Sequence, residues 1–171
     1  MAKYTSIAFI IMLTVVSVSH GQSSVPKDTV ITLHRFTDAF AYFPEYNLTI
    51  KADGSVTFKQ FAVPSLATPR PSVSYELIES KISIATVAAL VADFERVKFF
   101  SLRDRYWKNE DGCNEWPDFA AAEISITING KSKTIFHYGG CLDKNQRVYP
   151  GELAALATKI DTLVNTKQWL K

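Results

Sequence analysis

Several things are scarce in this sequence, and each scarcity narrows what it can be. In 171 residues there are seven glycines and seven prolines, too few for a collagen-like or low-complexity architecture. There is no excess of one charge sign: 19 Lys plus Arg face 17 Asp plus Glu, for a net charge of +2. A nucleic-acid partner needs a basic face for its phosphates and an anionic membrane needs a basic patch; this balance argues for neither. No apolar run reaches the roughly 20 residues that a membrane-spanning helix requires. Gly-x-Ser-x-Gly, His-Glu-x-x-His, a phosphate loop and a dinucleotide fingerprint are all missing, and no cofactor is implied. What is present, 47% apolar and 21% charged residues, is the composition of a globular chain. The length suits one domain and falls short of two independent cores.

Residues 1–21 read as a signal peptide. Lys3 supplies the positive start, and Ile7 to Val18 is an uncharged, mostly apolar stretch of about twelve residues, the length of a signal core rather than of a bilayer span. Ser19 and Gly21 are small residues in the relation that signal peptidase accepts, which places cleavage before Gln22. No Cys follows the apolar run, which argues against a lipid anchor; the competing reading is an uncleaved membrane anchor. The expected product is a single domain over 22–171, secreted or periplasmic, with no stable membrane span after cleavage.

Val30 to Phe36 alternates as a strand with Ile31 and Leu33 on one side. Tyr46, Leu48 and Ile50 alternate with Asn47, Thr49 and Lys51. A loop at Ala52-Asp53-Gly54 would oppose Ile50 to Val56 and Leu48 to Phe58, with Gly54 in the left-handed position. Pro64, Pro69 and Pro71 mark a crossover, after which Val73 to Ile78 returns as a strand. Ser83 is a good helix N-cap, and Ile82 and Val87 can staple that end. Val87, Val91, Phe94 and Lys98, flanked by Leu90 and Val97, form a helical stripe that Phe99-Phe100 ends against the core. Ile124, Ile126 and Ile128 alternate up to Asn129-Gly130. A two-residue loop there would put Ile135 and His137 with the isoleucines, whereas a three-residue loop would put Thr134, Phe136 and Tyr138 there. Leu153, Leu156, Ile160, Leu163 and Val164 make a second amphipathic helix. The simplest packing is an α+β domain: one antiparallel sheet of about five to six strands with two helices on one face.

These residues resemble a known family. Ile31 to Arg35, then Phe40, Pro44, Tyr46 and the Asp53-Gly54 turn are similar to the start of domain-of-unknown-function family 6438. The similarity continues through Phe94, Phe99-Phe100, Leu102, Asp104 and Tyr106. It resumes from Ile126 to Thr134, at His137-Tyr138 and Gly140-Cys141, and closes at Pro150, Leu153, Ile160-Asp161 and Trp169. Members usually carry Cys-Phe-Gly-x-Cys-Pro after the first strand. Here Ala39 and Phe43 stand at the two Cys positions and Ala41 at the Gly, so the feature is lost as a unit. The resemblance implies a small secreted or periplasmic α+β domain and no activity assignable to particular residues.

Few residues suggest chemistry. His34 and His137 both lie in expected strands; neighbouring strands could join them to a carboxylate as a metal site, but ordinary strand histidines explain them as well, and no metal ligand is assigned. Arg35 suits either a ligand carboxylate or an ion pair across the sheet, and the ion pair is the commoner arrangement. Glu110, Asp111, Glu115 and Asp118 do not follow the EF-hand spacing and read as a solvated acidic loop. Asn47-Leu48-Thr49 is a glycosylation acceptor if the source is a eukaryote.

Three functions compete. The favoured one is a non-catalytic module that binds a protein or glycan through Tyr106, Trp107, Trp116 and Phe119. The second is a small secreted hydrolase using His137, Asp104 or Glu110; the third is a structural envelope or matrix component. Export also makes a disulfide between Cys113 and Cys141 the natural pairing of an even cysteine count, against intermolecular bridging or free thiols.

Overall fold

A computed structural model describes residues 24–36, 45–61, 75–107, 113, 121–145, 147 and 149–170. The leader at 1–21 therefore lies outside the described residues, as do Ala39, Ala41, Phe43, Glu110, Asp111, Glu115, Trp116, Asp118 and Phe119.

The strands are β1 (Val30–Arg35), β2 (Tyr46–Lys51), β3 (Ser55–Phe61), β4 (Tyr75–Lys81), β5 (Arg105–Tyr106), β6 (Ala121–Ile128) and β7 (Lys131–Tyr138). The helices are α1 (Ile84–Arg96) and α2 (Gly151–Val164). The strands form one sheet in the order β4-β3-β2-β1-β6-β7-β5, antiparallel throughout except that β5 runs parallel to β7. The domain is α+β, and its sheet has seven strands rather than five to six. The extra strand, β5, is two residues long, too short to show any alternation in sequence. Of the strand expected from Val73 to Ile78, Val73 and Ser74 lie outside the described residues, and the strand over Tyr75–Lys81 runs on past Ile78.

Alternation puts Ile31, Leu33, Leu48, Ile50, Val56, Phe58, Ile124, Ile126 and Ile135 on one face, all buried. The first hairpin keeps the expected register, Ile50 opposite Val56 and Leu48 opposite Phe58. Gly54 turns it at φ +83°, and a Cβ there would collide with the Ile82 carbonyl oxygen, so glycine is required twice over. The second hairpin takes the two-residue loop: Asn129 and Gly130 both have positive φ, Ile128 opposes Lys131, and Ile135 and His137 join the isoleucine face.

Both helices cover this face. Ser83 caps α1, its Oγ accepting from the Thr86 amide at 3.0 Å, and Val87, Leu90 and Phe94 are buried. α1 stops at Arg96, and Lys98 takes a left-handed turn that leaves it exposed rather than in the buried stripe. Of the following pair, Phe99 is buried while Phe100 stays exposed. α2 buries Leu153, Leu156, Ala157, Ile160 and Val164 and leaves Leu163 outside. The helices are joined at Asp93, which meets Lys159 at 2.5 Å and Arg96 at 3.2 Å. Burial opposes ionisation of Asp93, but the hydrogen bonds from Lys159 and Arg96 outweigh it and hold the carboxyl below its ordinary range.

Candidate functional site

The two faces of the sheet carry different polar groups. On the covered face, at the end where β1 finishes and β2 begins, Arg35 and Tyr46 are direct cross-strand partners. Both reach Asp161 on α2. The Arg35 Nη2 and Nε donate to Oδ2 at 2.8 and 3.2 Å, and the Tyr46 hydroxyl donates to Oδ1 at 2.6 Å. Burial and the Asp161 charge both push the Tyr46 phenol well above its ordinary range, so it is a permanent donor. Arg35 thus takes the ion-pair role, tying the central strand to the last helix.

His137 faces the same side, separated from Arg35 by Ala122 on β6. It is buried, and its Nε2 meets the Tyr149 carbonyl oxygen at 3.0 Å. A carbonyl can only accept, so this nitrogen carries the proton. Burial lowers the imidazole pKa; the bond to Tyr149 opposes that shift, and the nearby Arg35 charge adds to it. Asp104, the proposed carboxylate partner, is instead exposed and paired with Lys133 at 2.7 Å. The geometry therefore does not bring His137 and Asp104 together as an acid–base pair, and Glu110 lies outside the described residues. Nor are the two histidines joined: His34 lies on the opposite face, called open here because neither described helix covers it, and is bonded to Glu45 at 2.9 Å. Among the described residues no three His, Cys, Asp or Glu side chains are grouped to hold a metal ion.

The open face is mostly Thr and Ser along its middle, with Thr32 bonded to Ser125 at 2.6 Å and Thr127 to Ser132 at 2.7 Å. Its character changes at the end where β1 and β3 finish. There the rings of Phe61, His34, Phe36 and Phe136 follow one another with centroid steps of 6.2, 3.9 and 5.8 Å. Lys59 lies over Phe61 at 5.2 Å, and Arg105 lies over both Trp107 and Phe136 at 5.3 and 5.7 Å. Glu123 sits directly across from His34 on β6, and Asn47 across from it on β2.

Of the four aromatic residues expected to form a binding surface, Trp107 is 50% exposed and joins this ledge. Tyr106 is 4% exposed, packs edge-on against Tyr149 and belongs to the core, because alternation in β5 turns it to the covered side. Trp116 and Phe119 lie outside the described residues. Phe36, Phe61 and Phe136 were not singled out from the sequence. Two of them carried a signal: Phe61 follows Ser55, Thr57 and Lys59 on the polar phase of β3, and Phe136 follows Ser132 and Thr134 on that of β7.

Cys113 and Cys141 are joined as a disulfide next to the same edge, both buried, and Cys141 packs against the Tyr106 carbonyl. Among the described residues no helix is long and apolar enough to cross a membrane.

The profile of a domain of unknown function, DUF6438, matches residues 29–164. The chain belongs to this family. The match spans β1 through the end of α2, so the whole sheet and both helices are the family fold. Arg35, Tyr46 and Asp161, three residues that carry the DUF6438 resemblance, converge on one ion pair and one phenol bond. No curated protein matches the chain.

Proposed function

We propose that this DUF6438 member is an exported, non-catalytic binding module whose recognition surface is the aromatic end of the open sheet face. The observation that carries the reading is the ledge of Phe61, His34, Phe36, Phe136 and Trp107, on the side of the sheet that neither helix covers. Aromatic rings held against a rigid sheet offer large contact area at little entropic cost, which is what interface anchors supply. Export is supported by the leader pattern of residues 1–21 and by a disulfide, which persists in oxidising compartments. Tyr106 is left out of the surface because it is buried; Trp107 is retained and Phe136 added.

The test is a cross-linking pull-down from the native source with the wild-type chain and with Trp107→Ala combined with Phe136→Ala. A folded double variant that loses the captured partner supports the module. Capture undiminished in the folded double variant overturns it.

A further inference from the structure

We infer that the ledge takes a neutral oligosaccharide laid across the strands, a reading that rests on the binding module proposed above and names its ligand class. Three observations carry it.

The first is shape. The rings run from Phe61 on β3 through His34 and Phe36 on and after β1 to Phe136 on β7, in steps of 3.9 to 6.2 Å. β3 and β7 are four strand positions apart in the sheet, and the three ring steps together reach at most about 16 Å. That makes a ribbon several sugar units long rather than a pocket for one small molecule. A pyranose has a flat apolar face of C–H groups that lies on an aromatic ring, and a chain of them needs such rings in series.

The second is charge. Lys59 stands over the ring at one end and Arg105 over the ring at the other, while Glu45 and Glu123 lie between them on the same face. Among the described residues of this end, two cations balance two carboxylates. A polyanion gains nothing from such a balance, and neither does a basic peptide. A lipid would need an apolar patch unbroken by carboxylates.

The third is hydrogen-bonding chemistry. Glu45 and Glu123 accept, Lys59 and Arg105 donate, and Asn47 beside His34 does both. Hydroxyl groups around a sugar rim are donors and acceptors at once, so they can satisfy this mixed set. An extended peptide seeks the edge of a sheet, where free backbone groups are, rather than its face.

The experiment titrates the purified, oxidised protein by calorimetry with cellohexaose, xylohexaose, mannohexaose, laminarihexaose and chitohexaose. Polygalacturonate and a heparin oligosaccharide serve as charged probes. Saturable binding of at least one neutral hexasaccharide is expected, weakened about tenfold by Phe136→Ala, the loss of one stacked ring. Glu123→Gln, which keeps the shape and removes the charge, is expected to weaken it less, by about three- to fivefold. Because Phe136→Ala risks disturbing β7, near-ultraviolet circular dichroism confirms each fold, and Glu123→Gln keeps the test decisive if Phe136→Ala is not native. No binding of any neutral probe at millimolar concentration overturns the inference, as does binding of the polyanions alone or binding undiminished in every folded variant. If the sugars fail while Trp107→Ala with Phe136→Ala still loses a captured protein, the glycan falls and the binding module stands. If both fail, both fall.

Discussion

Alternate residues of the same strands build both faces of this sheet, yet the faces solve opposite problems. On the covered face the polar groups are few, and their partners come from far along the chain: Arg35 and Tyr46 reach Asp161, 126 and 115 residues away. Desolvation leaves such groups no alternative partner, so each bond holds the fold together. On the open face the polar groups pair with their strand neighbours, as Thr32 does with Ser125 and Thr127 with Ser132, and water can replace either partner. The aromatic residues reverse the pattern. Phe58 is buried beneath Trp169 at 5.1 Å and serves the core, whereas Phe136 lies on the side that neither helix covers. The difference teaches where a binding surface can be built: on the open face a row of rings stays clear of the core that the helices cover.

That contrast can be broken most sharply at Phe58. Phe58→Ala is expected to cost about 3–5 kcal/mol by urea denaturation, the price of a cavity under the helices; a cost below about 1 kcal/mol would mean the covered face is not the core. Next comes the disulfide. Replacing Cys113 and Cys141 together by Ser is expected to lose about 3–4 kcal/mol in the chain-entropy account, given a separation of 28 residues. Intact mass before and after reduction checks the bond itself, and recovery of both thiols in alkylatable form from the protein of the native source would remove it.

Asp161→Ala should cost about 2–3 kcal/mol, because it strands the Arg35 guanidinium and the Tyr46 hydroxyl together. A double-mutant cycle with Arg35→Ala measures their coupling, and additive losses would separate the two residues.

A smaller effect comes from pH. His137 has a lowered pKa in the folded state, so the unfolded chain binds the proton first as pH falls below the ordinary imidazole value. Its contribution to stability is present above about pH 6.5 and is lost progressively as pH falls towards the folded pKa. Denaturation midpoints between pH 7 and 5 should fall less steeply in His137→Gln than in wild type; an unchanged slope would show that the imidazole is not the group responsible. The smallest effect is expected on the open face, where Phe136→Ala should cost about 1 kcal/mol or less despite removing the same side chain as Phe58→Ala. Equal losses at the two positions would erase the distinction between the faces.

Much of this fold is legible residue by residue. The Ile31 and Leu33 phase, the Asp53-Gly54 turn and the Ser83 cap are local features, set by alternation, φ preference and a hydroxyl three residues from an amide. The strand β5 was not legible, since two residues have no period and its pairing with β7 depends on where the chain returns. Lys98 misled for a related reason: helical spacing continues on paper past Arg96, but the left-handed residue that ends the helix turns its side chain outward. Of the residues expected to form a binding surface, Trp107 is exposed and Tyr106 buried, because adjacent residues in a strand face opposite sides. The ledge itself stayed hidden because Phe36, Phe61 and Phe136 are distant in sequence, and no local pattern shows that they share one end of the sheet.

By itself, the sequence determined the α+β class, the registers available to each hairpin and the family, because those depend on neighbours within a few residues or on matched patterns along the chain. Tertiary structure alone decided that Arg35 meets Asp161, that His34 and His137 face away from each other, and that four rings from three strands line up on the side without helices. Local periodicity says which side of its own strand a residue occupies. Only strand order says which residues of other strands stand beside it, and that order is set by long-range pairing, which no local pattern encodes.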